Sequence, residues 1–277
     1  MTTQNKNQNN GVIVNPKTEK QAPKNKVKPS ALAVVDKPLF LQALEQRLME
    51  TAQNLNERQK EQMADYYETL VETNRVMNLT GITEATEVAE KHIADSLRLL
   101  PLLDAKSKSQ TKTLVDVGTG AGLPGIPIAI ARPEMQVILL DSQQKRCRFL
   151  ESVCQKLKLA NAAVVWGRAE ELGHKEELRE RADFAVARAV AAMPMLLEYL
   201  TAFVNPGGKI IAMKGSSASE EIKEAAGAIN ELNCSLEKVC EYALSSGEKR
   251  SLVVLKKNNP LKQKYPRNSG LIKKKPL

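Results

Sequence analysis

A run of glycines after a strand-like segment is the part of the sequence best suited to bind a ligand. Residues 113–118 (TLVDVG) have the apolar character of a buried strand, and from Asp116 the spacing is D-x-G-x-G-x-G, with glycines at 118, 120 and 122. Glycine allows positive φ and close approach of the backbone to a ligand, and the start of the next helix supplies amide donors. The pattern therefore predicts a nucleotide-like ligand at this turn.

Two carboxylates and the glycine spacing narrow the kind of nucleotide. A dinucleotide fingerprint needs a small residue three positions after Gly120, where Leu123 stands, and no GK[ST] follows as a P-loop requires. Asp116 precedes the glycines, and Asp141 ends the next strand-like run, where a carboxylate can accept hydrogen bonds from both ribose hydroxyls. These two acids would also attract a ligand that carries an amino group and a sulfonium cation. S-Adenosylmethionine therefore fits, whereas NAD fits poorly.

Strand-like runs alternate with amphipathic helical segments around this turn. The runs span residues 113–118, 136–141, 162–167, 183–189 and 209–215. Such alternation predicts an α/β fold with a parallel sheet and helices on both faces. Residues 235–257 have the pattern of two strands joined by the turn SSGEK, so we expect a hairpin that adds an antiparallel strand at one edge.

Composition divides the 277-residue chain into four parts. Residues 1–36 are rich in Asn, Gln, Lys and Pro and are predicted to be a disordered extension. Residues 37–104 carry apolar residues at helical spacing, residues 113–257 form the α/β core, and residues 258–277 form a basic tail.

The net charge of +9 belongs to the two ends of the chain. Residues 1–38 carry +5 and residues 256–277 carry +8, which leaves −4 for the middle. Basic ends commonly bind polyanions, most often nucleic acid, because phosphate neutralisation releases counterions. The alternative is that they only improve solubility, which we favour for the N-terminal end but not for the C-terminal end.

Other classes of protein are disfavoured by the sequence. No apolar run approaches the ~20 residues of a membrane span, and the first residues lack a signal-peptide pattern, so we expect a cytoplasmic protein. The four cysteines form no C-x-x-C pair, and with two histidines they give no plausible zinc spacing. We therefore expect no metal.

Several motifs together resemble one family, the bacterial small-subunit rRNA guanine-N7 methyltransferases, also called the glucose-inhibited division protein B family. The motifs are MNLTGI…KHIADSL (77–97), DVGTGAGLPGIPIAIARPE with LLDSQQKRCRFL (116–150), ARAVAAM…NPGGKIIAMKG (187–215) and GEKRSLVVLKK (247–257). The end, KYPRNSGLIKKKPL (264–277), is similar to the basic tail of many members. The first 36 residues have no counterpart.

This resemblance implies a class I (Rossmann-like) S-adenosylmethionine-dependent methyltransferase. Its fold would be a seven-stranded, mostly parallel sheet with an antiparallel edge hairpin and an N-terminal helical extension. Its reaction would move a methyl group from S-adenosylmethionine to N7 of a guanine in the 530 loop of 16S rRNA, leaving S-adenosylhomocysteine. Its partner would be the 30S subunit or a precursor, and we expect a monomer.

Matching positions imply a set of cofactor contacts. Gly118 and Leu123 would hold the methionine side, Asp141 the ribose, and Ala169 with Glu170 the adenine. The full set of cofactor candidates is Asp116, Gly118, Gly120, Gly122, Leu123, Asp141, Ala169, Glu170 and Arg188.

The reaction itself asks little acid–base chemistry of the protein. Guanine N7 carries a free lone pair, so the enzyme can work mainly by positioning the two reactants. The candidates for the substrate side are Arg188, Asp95 and His92, and charge developing on the purine could be eased by Asp95 or Glu170. His92 and Asp95 are expected at i, i+3 on one face of an α-helix, with a plain surface pair as the alternative.

Five residues are candidates for RNA contact, and two other functions stay open. The candidates are Arg146, Lys214, Lys264, Tyr265 and Arg267, of which the last three combine charge with an aromatic ring. The alternatives are a small-molecule methyltransferase of the same fold and a non-catalytic ribosome-associated binding protein.

Overall fold

The computed structural model describes residues 34–104 and 111–277, and its centre is a seven-stranded sheet. The strands are β1 (Thr113–Val117), β2 (Gln136–Asp141), β3 (Ala162–Trp166), β4 (Ala182–Arg188), β5 (Val204–Lys214), β6 (Cys234–Ala243) and β7 (Lys249–Lys257). Their order is β3-β2-β1-β4-β5-β7-β6. Strands β1 to β5 run parallel, and β7 is antiparallel to both β5 and β6. The predicted fold, including its edge hairpin, is confirmed.

Burial explains why the central strands are uniformly apolar. In β1 the residues from Leu114 to Val117 are all buried, and β4 is buried except at Asp183 and Arg188. A strand covered on both faces shows little alternation of apolar and polar residues. Strand β6 lies at the edge and is mostly exposed, with charged residues that discourage pairing with another sheet.

Helices cover both faces of the sheet. They are α1 (Lys37–Thr51), α2 (Glu57–Asn74), α3 (Ala85–Glu87), a π-helix (Val88–Ala94), α4 (Asp95–Leu97), α5 (Leu100–Leu103), α6 (Gly125–Ala131), α7 (Gln144–Leu157), α8 (Ala169–Leu172), α9 (Met193–Thr201), α10 (Ala218–Glu224), α11 (Ala226–Glu231) and α12 (Ser269–Lys274). The N-terminal helices share one apolar core with α6 and α7, whereas α9 to α11 pack in a second core on the other face. Within the described ranges, no helix is long and apolar enough to cross a membrane.

The N-terminal helices brace the glycine turn. Phe40 of α1 stacks on Tyr67 of α2 with ring centroids 4.6 Å apart, which fixes the two helices against each other. The neighbouring Tyr66 is fully buried, and its hydroxyl donates to the carbonyl of Ala121 at 2.7 Å. Because Ala121 lies within the turn, the helical section predicted for residues 37–104 supports the ligand site. The disorder predicted for residues 1–36 falls outside the described residues, apart from the last three.

The helix predicted around His92 and Asp95 differs from the expected geometry. Val88–Ala94 is a π-helix, and Asp95 begins the short α4 directly after it. A π-helix bonds residue i to i+5, so its side chains depart from the 3.6-residue spacing that the i, i+3 prediction assumed. The prediction of a regular α-helix here was therefore wrong. Such π segments are frequent at functional sites.

The C-terminal residues 258–277 are packed against the body and do not form a solvated tail. Tyr265 and Ile272 are buried, at 3% and 0% exposure. The short helix α12 lies near the end of this segment. Tertiary contacts hold this segment on the body of the protein.

Candidate active site

Three glycines shape the turn between β1 and α6. Gly118, Gly120 and Gly122 have φ values of +70°, +60° and +99°, a region that residues with side chains rarely adopt. The amides of Gly118 and Thr119 donate to the carbonyl of Leu140 on β2 at 2.8 and 3.0 Å. The turn is thereby tied to the neighbouring strand.

Asp116 supports this turn from beneath. Its side chain is fully buried, and Oδ2 accepts hydrogen bonds from Thr119 Oγ1 at 2.6 Å and from the Gly125 amide at 2.8 Å. It lines neither of the cavities described below. The prediction of a direct cofactor contact by Asp116 is therefore corrected, since its carboxylate holds the backbone that faces the ligand.

The buried position of Asp116 should make protein stability depend on pH. Burial raises the pKa of its carboxyl to about 6, against the opposing effect of the two hydrogen bonds. Between about pH 4 and pH 6 the folded state keeps a proton that the unfolded state releases, so the free energy of unfolding falls as pH rises. Relative to Asp116→Asn, the wild-type protein should lose roughly 3 kcal/mol across this window. Urea unfolding at several pH values measures the difference.

The Asp116 comparison has an internal control. Below about pH 3 and above about pH 7 the difference between the two proteins should be constant, because Asp116 is then in the same protonation state in the folded and the unfolded chain. Groups other than Asp116 titrate in both proteins and cancel. Parallel stability curves throughout would show that Asp116 does not keep its proton on folding.

One cavity, here called the glycine-turn cavity, opens beyond the carboxyl ends of β1, β2 and β3. Its volume is about 440 Å³, and among the predicted cofactor residues Gly118, Ala169 and Glu170 line it. Val190 and Ala191, which follow β4, also line it. The cavity thus lies where the strand order reverses between β1 and β4, the position at which open α/β sheets bind ligands.

Other predicted cofactor residues shape the glycine-turn cavity without lining it. A Cβ at Gly122 would lie 2.6 Å from Ile126 Cγ1 and 2.9 Å from Leu150 Cδ2, so this glycine allows the turn to pack closely on two helices. Leu123 is buried in the same apolar core. Neither Leu123 nor Gly120 lines the cavity, and the cofactor contacts predicted for them stay predictions.

Asp141 ends β2 with its carboxylate already engaged by the backbone. Oδ2 accepts from the Gly120 amide at 3.0 Å and Oδ1 accepts from the Gln143 amide at 2.8 Å. Arg146 Nη1 lies 3.6 Å from Oδ2. An ionised carboxylate has about four acceptor positions, so two remain for ribose hydroxyls. Asp141 therefore orders the turn and keeps capacity for a ligand.

Glu170 brings an unsatisfied acceptor to the glycine-turn cavity. Its Oε1 is buried and has no hydrogen-bond partner in the described part of the chain, and the nearest cation is Arg168 Nη1 at 3.9 Å. A buried carboxylate oxygen without a donor is costly. The position is suited to an amino group of a ligand.

A second cavity, here called the Asp95 cavity, lies beside the first. Its volume is about 460 Å³, and the predicted residues His92, Asp95, Arg188 and Lys214 all line it. The structure thus brings together the three substrate-side candidates. Arg188 lines this cavity and not the glycine-turn cavity, and its predicted contact with the cofactor stays a prediction.

A hydrogen-bonded network fixes Asp95 in its cavity. Arg188 Nη1 donates to Asp95 Oδ2 at 3.2 Å and to the Lys91 carbonyl at 3.0 Å, and the Tyr242 hydroxyl donates to Asp95 Oδ1 at 2.7 Å. Burial and the neighbouring Asp95 raise the pKa of Tyr242, so it stays a donor. Asp95 itself is 3% exposed. Two donors, Arg188 on β4 and Tyr242 on β6, thus hold the carboxylate of Asp95 in place.

His92 is neutral in this environment. Burial lowers its pKa to about 4, with further lowering by the charge of Arg188. Its Nε2 lies 2.8 Å from Thr80 Oγ1, whereas Nδ1 is buried and has no partner in the described residues. The ring therefore offers a hydrogen-bonding nitrogen to a polar group in the cavity.

A single short segment separates the two cavities. Ala189 lines the Asp95 cavity, and the next two residues, Val190 and Ala191, line the glycine-turn cavity. Ala189 has φ +56°, a strained conformation for a residue with a side chain. Reactants in the two cavities would meet across this segment.

Lys214 holds that segment and does not extend toward solvent. Its ammonium donates to the Ala191 carbonyl and to Glu221 Oε2, both at 2.7 Å, and Glu221 also accepts from the Met193 amide at 3.0 Å. The side chain of Lys214 is 10% exposed. The prediction that Lys214 reaches RNA phosphate is corrected, since its ammonium is engaged by Ala191 and Glu221 and holds the segment between the two cavities.

The C-terminal RNA candidates are mostly engaged within the protein. The Tyr265 hydroxyl donates to Glu231 Oε1 at 2.9 Å, and Arg267 makes two-pronged bonds to the fully buried Glu198. These contacts contradict the idea of Tyr265 and Arg267 as free RNA ligands. Lys264 is 62% exposed in spite of its 3.3 Å contact with Glu231, and Arg146 is 30% exposed.

Some lining residues escaped the sequence analysis. Tyr242 lies on β6, 147 positions from the Asp95 it bonds, and no local pattern links the two. Met195 and Tyr199 of α9 line the glycine-turn cavity, and the sequence analysis did not single them out. Ser269 and Lys273 of α12 also line the glycine-turn cavity, which a tail without acids does not suggest.

Comparison with known proteins gives consistent matches. The family model for rRNA small subunit methyltransferase G matches residues 59–253. Ribosomal RNA small subunit methyltransferase G of Leuconostoc citreum is 41% identical over 223 residues, which are 80% of this chain and 93% of that one. Its counterpart in Acetivibrio thermocellus is 43% identical over 225 residues, 81% and 91% of the two chains. A mutant 16S rRNA (adenine(1408)-N(1))-methyltransferase from Catenulisporales acidiphilia aligns with a TM-score of 0.45 and 20% identity over 57% of this chain and 87% of that one.

Proposed function

The chain belongs to the rRNA small subunit methyltransferase G family and is a methyltransferase, and we propose that it methylates N7 of a guanine in the 530 loop of 16S rRNA with S-adenosylmethionine as donor. The observation that carries this proposal is the pair of adjacent cavities divided by Ala189–Ala191. The glycine-turn cavity would take the donor. The Asp95 cavity would take the guanine.

The residues of the glycine-turn cavity fit the donor. Gly118 leaves its wall bare, since a Cβ there would lie 2.8 Å from Val190 Cγ2. Glu170 has a buried oxygen that lacks a donor, which the adenine amino group would supply. Asp141 retains acceptor positions for ribose hydroxyls. When bound, S-adenosylmethionine supplies an electrophilic methyl group on a sulfonium.

The residues of the Asp95 cavity fit an attacking purine that needs no base. Guanine N7 has a free lone pair, and His92, whose pKa is about 4, stays neutral at neutral pH and accepts no proton from the substrate. Asp95 and Glu221 are the acids that line this cavity, and we propose that Asp95, beside His92 and Arg188, would ease the positive charge that develops on the purine. Arg188 and Tyr242 keep its carboxylate in place.

The rim of the Asp95 cavity suits a nucleic acid. Lys91 and Arg250 line it beside Arg188, and each also pairs with Glu248, at 2.8 and 2.6 Å, so they would meet RNA phosphates as partly compensated charges. The partly buried Arg146 and the exposed Lys264 remain further candidates for RNA contact. We infer that the partner is the 30S subunit or a precursor and that one chain acts alone, in the cytoplasm where that substrate is found.

Methyl-group labelling tests the proposed substrate. The protein is incubated with methyl-labelled S-adenosylmethionine and, separately, 30S subunits, protein-free 16S rRNA or a metabolite extract. We expect label in rRNA. Label confined to metabolites would support the small-molecule alternative, and donor binding without any transfer would support the non-catalytic alternative.

A further inference from the structure

The C-terminal segment ends at the glycine-turn cavity. After β7 the chain crosses the face of the sheet that carries α9, and α12 reaches the cavity, where Ser269 and Lys273 form part of the wall together with Met195 and Tyr199 of α9. The segment and Gly118 therefore line the same cavity. Its function therefore cannot be read from its charge alone.

The first anchor of the segment uses buried charge. Arg179 donates to the carbonyl oxygens of Leu261 at 3.1 Å and of Tyr265 at 2.8 Å. Nearby, Lys257 is fully buried, and its ammonium bonds Glu180, whose Oε1 also accepts from the Leu261 amide at 2.8 Å. These bonds fix the path of the chain as it leaves β7.

The second anchor lies directly before α12. Arg267 Nε and Nη2 donate to the two oxygens of Glu198 at 2.9 and 2.7 Å, and the Arg267 amide donates to the same carboxylate at 2.7 Å. Glu198 is fully buried in α9, so losing Arg267 would leave a buried charge unpaired. Ile272 is also fully buried and docks α12. The helix is thus held on the body.

Lys273 is the lysine of the segment that lines the glycine-turn cavity. Lys262 and Lys264 pair with Glu231, whereas Lys273 has no ion-pair or hydrogen-bond partner among the described residues and stands at the mouth of the cavity. A lysine side chain can cover apolar surface with its methylene groups while its ammonium stays in water. Lys273 is therefore placed to cover a ligand in the glycine-turn cavity.

We propose that the C-terminal segment is part of the cofactor-binding site, with Ser269 and Lys273 forming a wall of the glycine-turn cavity against bound S-adenosylmethionine. This inference rests on the proposed function, because it assumes the same donor in the same cavity. It assigns the segment a role in cofactor binding where the sequence suggested RNA contact. Cofactor binding and docking of α12 must then stabilise each other, since coupling between two such equilibria is reciprocal.

Paired alanine variants of the full chain test the wall. Lys273→Ala should raise the Kd for S-adenosylhomocysteine about fivefold to tenfold through the lost contact of its methylene groups. Lys274→Ala is the matched control: it removes the same side chain from the neighbouring exposed position of α12, outside the cavity lining, and should leave that Kd unchanged. Calorimetric titration gives both values.

A deletion of residues 268–277 extends the test. It removes α12 and keeps Arg267, so the buried Glu198 retains its partner. The Kd for S-adenosylhomocysteine should rise more than in Lys273→Ala, and circular dichroism should show the same folded body. In the wild-type protein, hydrogen exchange of the amides in 269–274 should slow when S-adenosylhomocysteine is added.

The outcomes separate this inference from the proposed function. If the wild-type protein binds no S-adenosylhomocysteine, the proposed donor is wrong. If the wild-type protein binds it and both Lys273→Ala and the deletion bind equally well, the wall assignment alone is overturned. Weaker binding of the deletion to 30S subunits at an unchanged Kd for S-adenosylhomocysteine would also overturn it and return the segment to RNA contact.

Discussion

Asp95→Asn should slow methyl transfer by about 100-fold while the affinity for S-adenosylhomocysteine stays within about twofold of wild type. The substitution keeps the size of the side chain but removes its charge. It also sets an amide donor against Arg188 or against the Tyr242 hydroxyl, which now donate to the two carboxylate oxygens at 3.2 and 2.7 Å. Single-turnover rates on 30S subunits and calorimetric titration measure the two quantities.

Two further variants bracket this result. Tyr242→Phe removes one hydrogen bond to Asp95 but keeps the charge and the ring that Arg98 covers at 5.1 Å, so the rate should fall about tenfold or less. Glu87→Gln removes an acid from the neighbouring α3 that pairs with Lys91 at 46% exposure, and it should have little effect on rate. If Asp95→Asn had the wild-type rate, or lost as much cofactor affinity as rate, the reacting guanine would not lie in the Asp95 cavity.

Gly118→Ala should weaken binding of S-adenosylhomocysteine at least about tenfold more than Gly120→Ala does. Both glycines have positive φ, so both substitutions should cost roughly 1–2 kcal/mol of stability. Only at Gly118 does the new methyl group meet a cavity wall, 2.8 Å from Val190 Cγ2, whereas the nearest atom at Gly120 is 3.9 Å away. Comparing the two variants therefore separates the effect of backbone strain in the turn from the effect of a methyl group that takes up space in the cofactor site.

Urea unfolding and calorimetric titration read the two effects of the glycine variants independently. Similar losses of stability with different Kd values are expected. Equal Kd values for the two variants would show that the bare backbone at Gly118 is needed for the fold of the turn and not for the cofactor.

The sequence was most informative where burial and backbone geometry are local properties. The strands Gln136–Asp141 and Ala162–Trp166 were predicted to within one residue. Most of Gln136–Asp141 is buried, which explains its continuous apolar run, whereas Ala162–Trp166 is an edge strand and only partly buried. The glycine turn was equally visible, since positive φ demands glycine or a strained residue. The prediction for the helix around His92 was less accurate, because a pattern of apolar residues does not distinguish a π-helix from an α-helix.

The C-terminal segment shows why other features were missed. Its lysines and arginine suggested contact with RNA, because residues 256–277 contain no acid. Lys262 pairs with Glu231, 31 positions away, and Arg267 pairs with Glu198, 69 positions away, so these partners become neighbours only in the folded chain. The network of Asp95 with Arg188 and Tyr242 depends on tertiary contact in the same way.

Mapping N7-methylguanine on 16S rRNA tests the central claim most directly. Unmodified 30S subunits are treated with the protein and S-adenosylmethionine, and the rRNA is then reduced with borohydride and cleaved with aniline, which breaks the chain at N7-methylguanosine. The account predicts one new break, at a guanine of the 530 loop, only when protein and donor are both present. Methylated rRNA that resists this cleavage, or breaks confined to other loops, would contradict it.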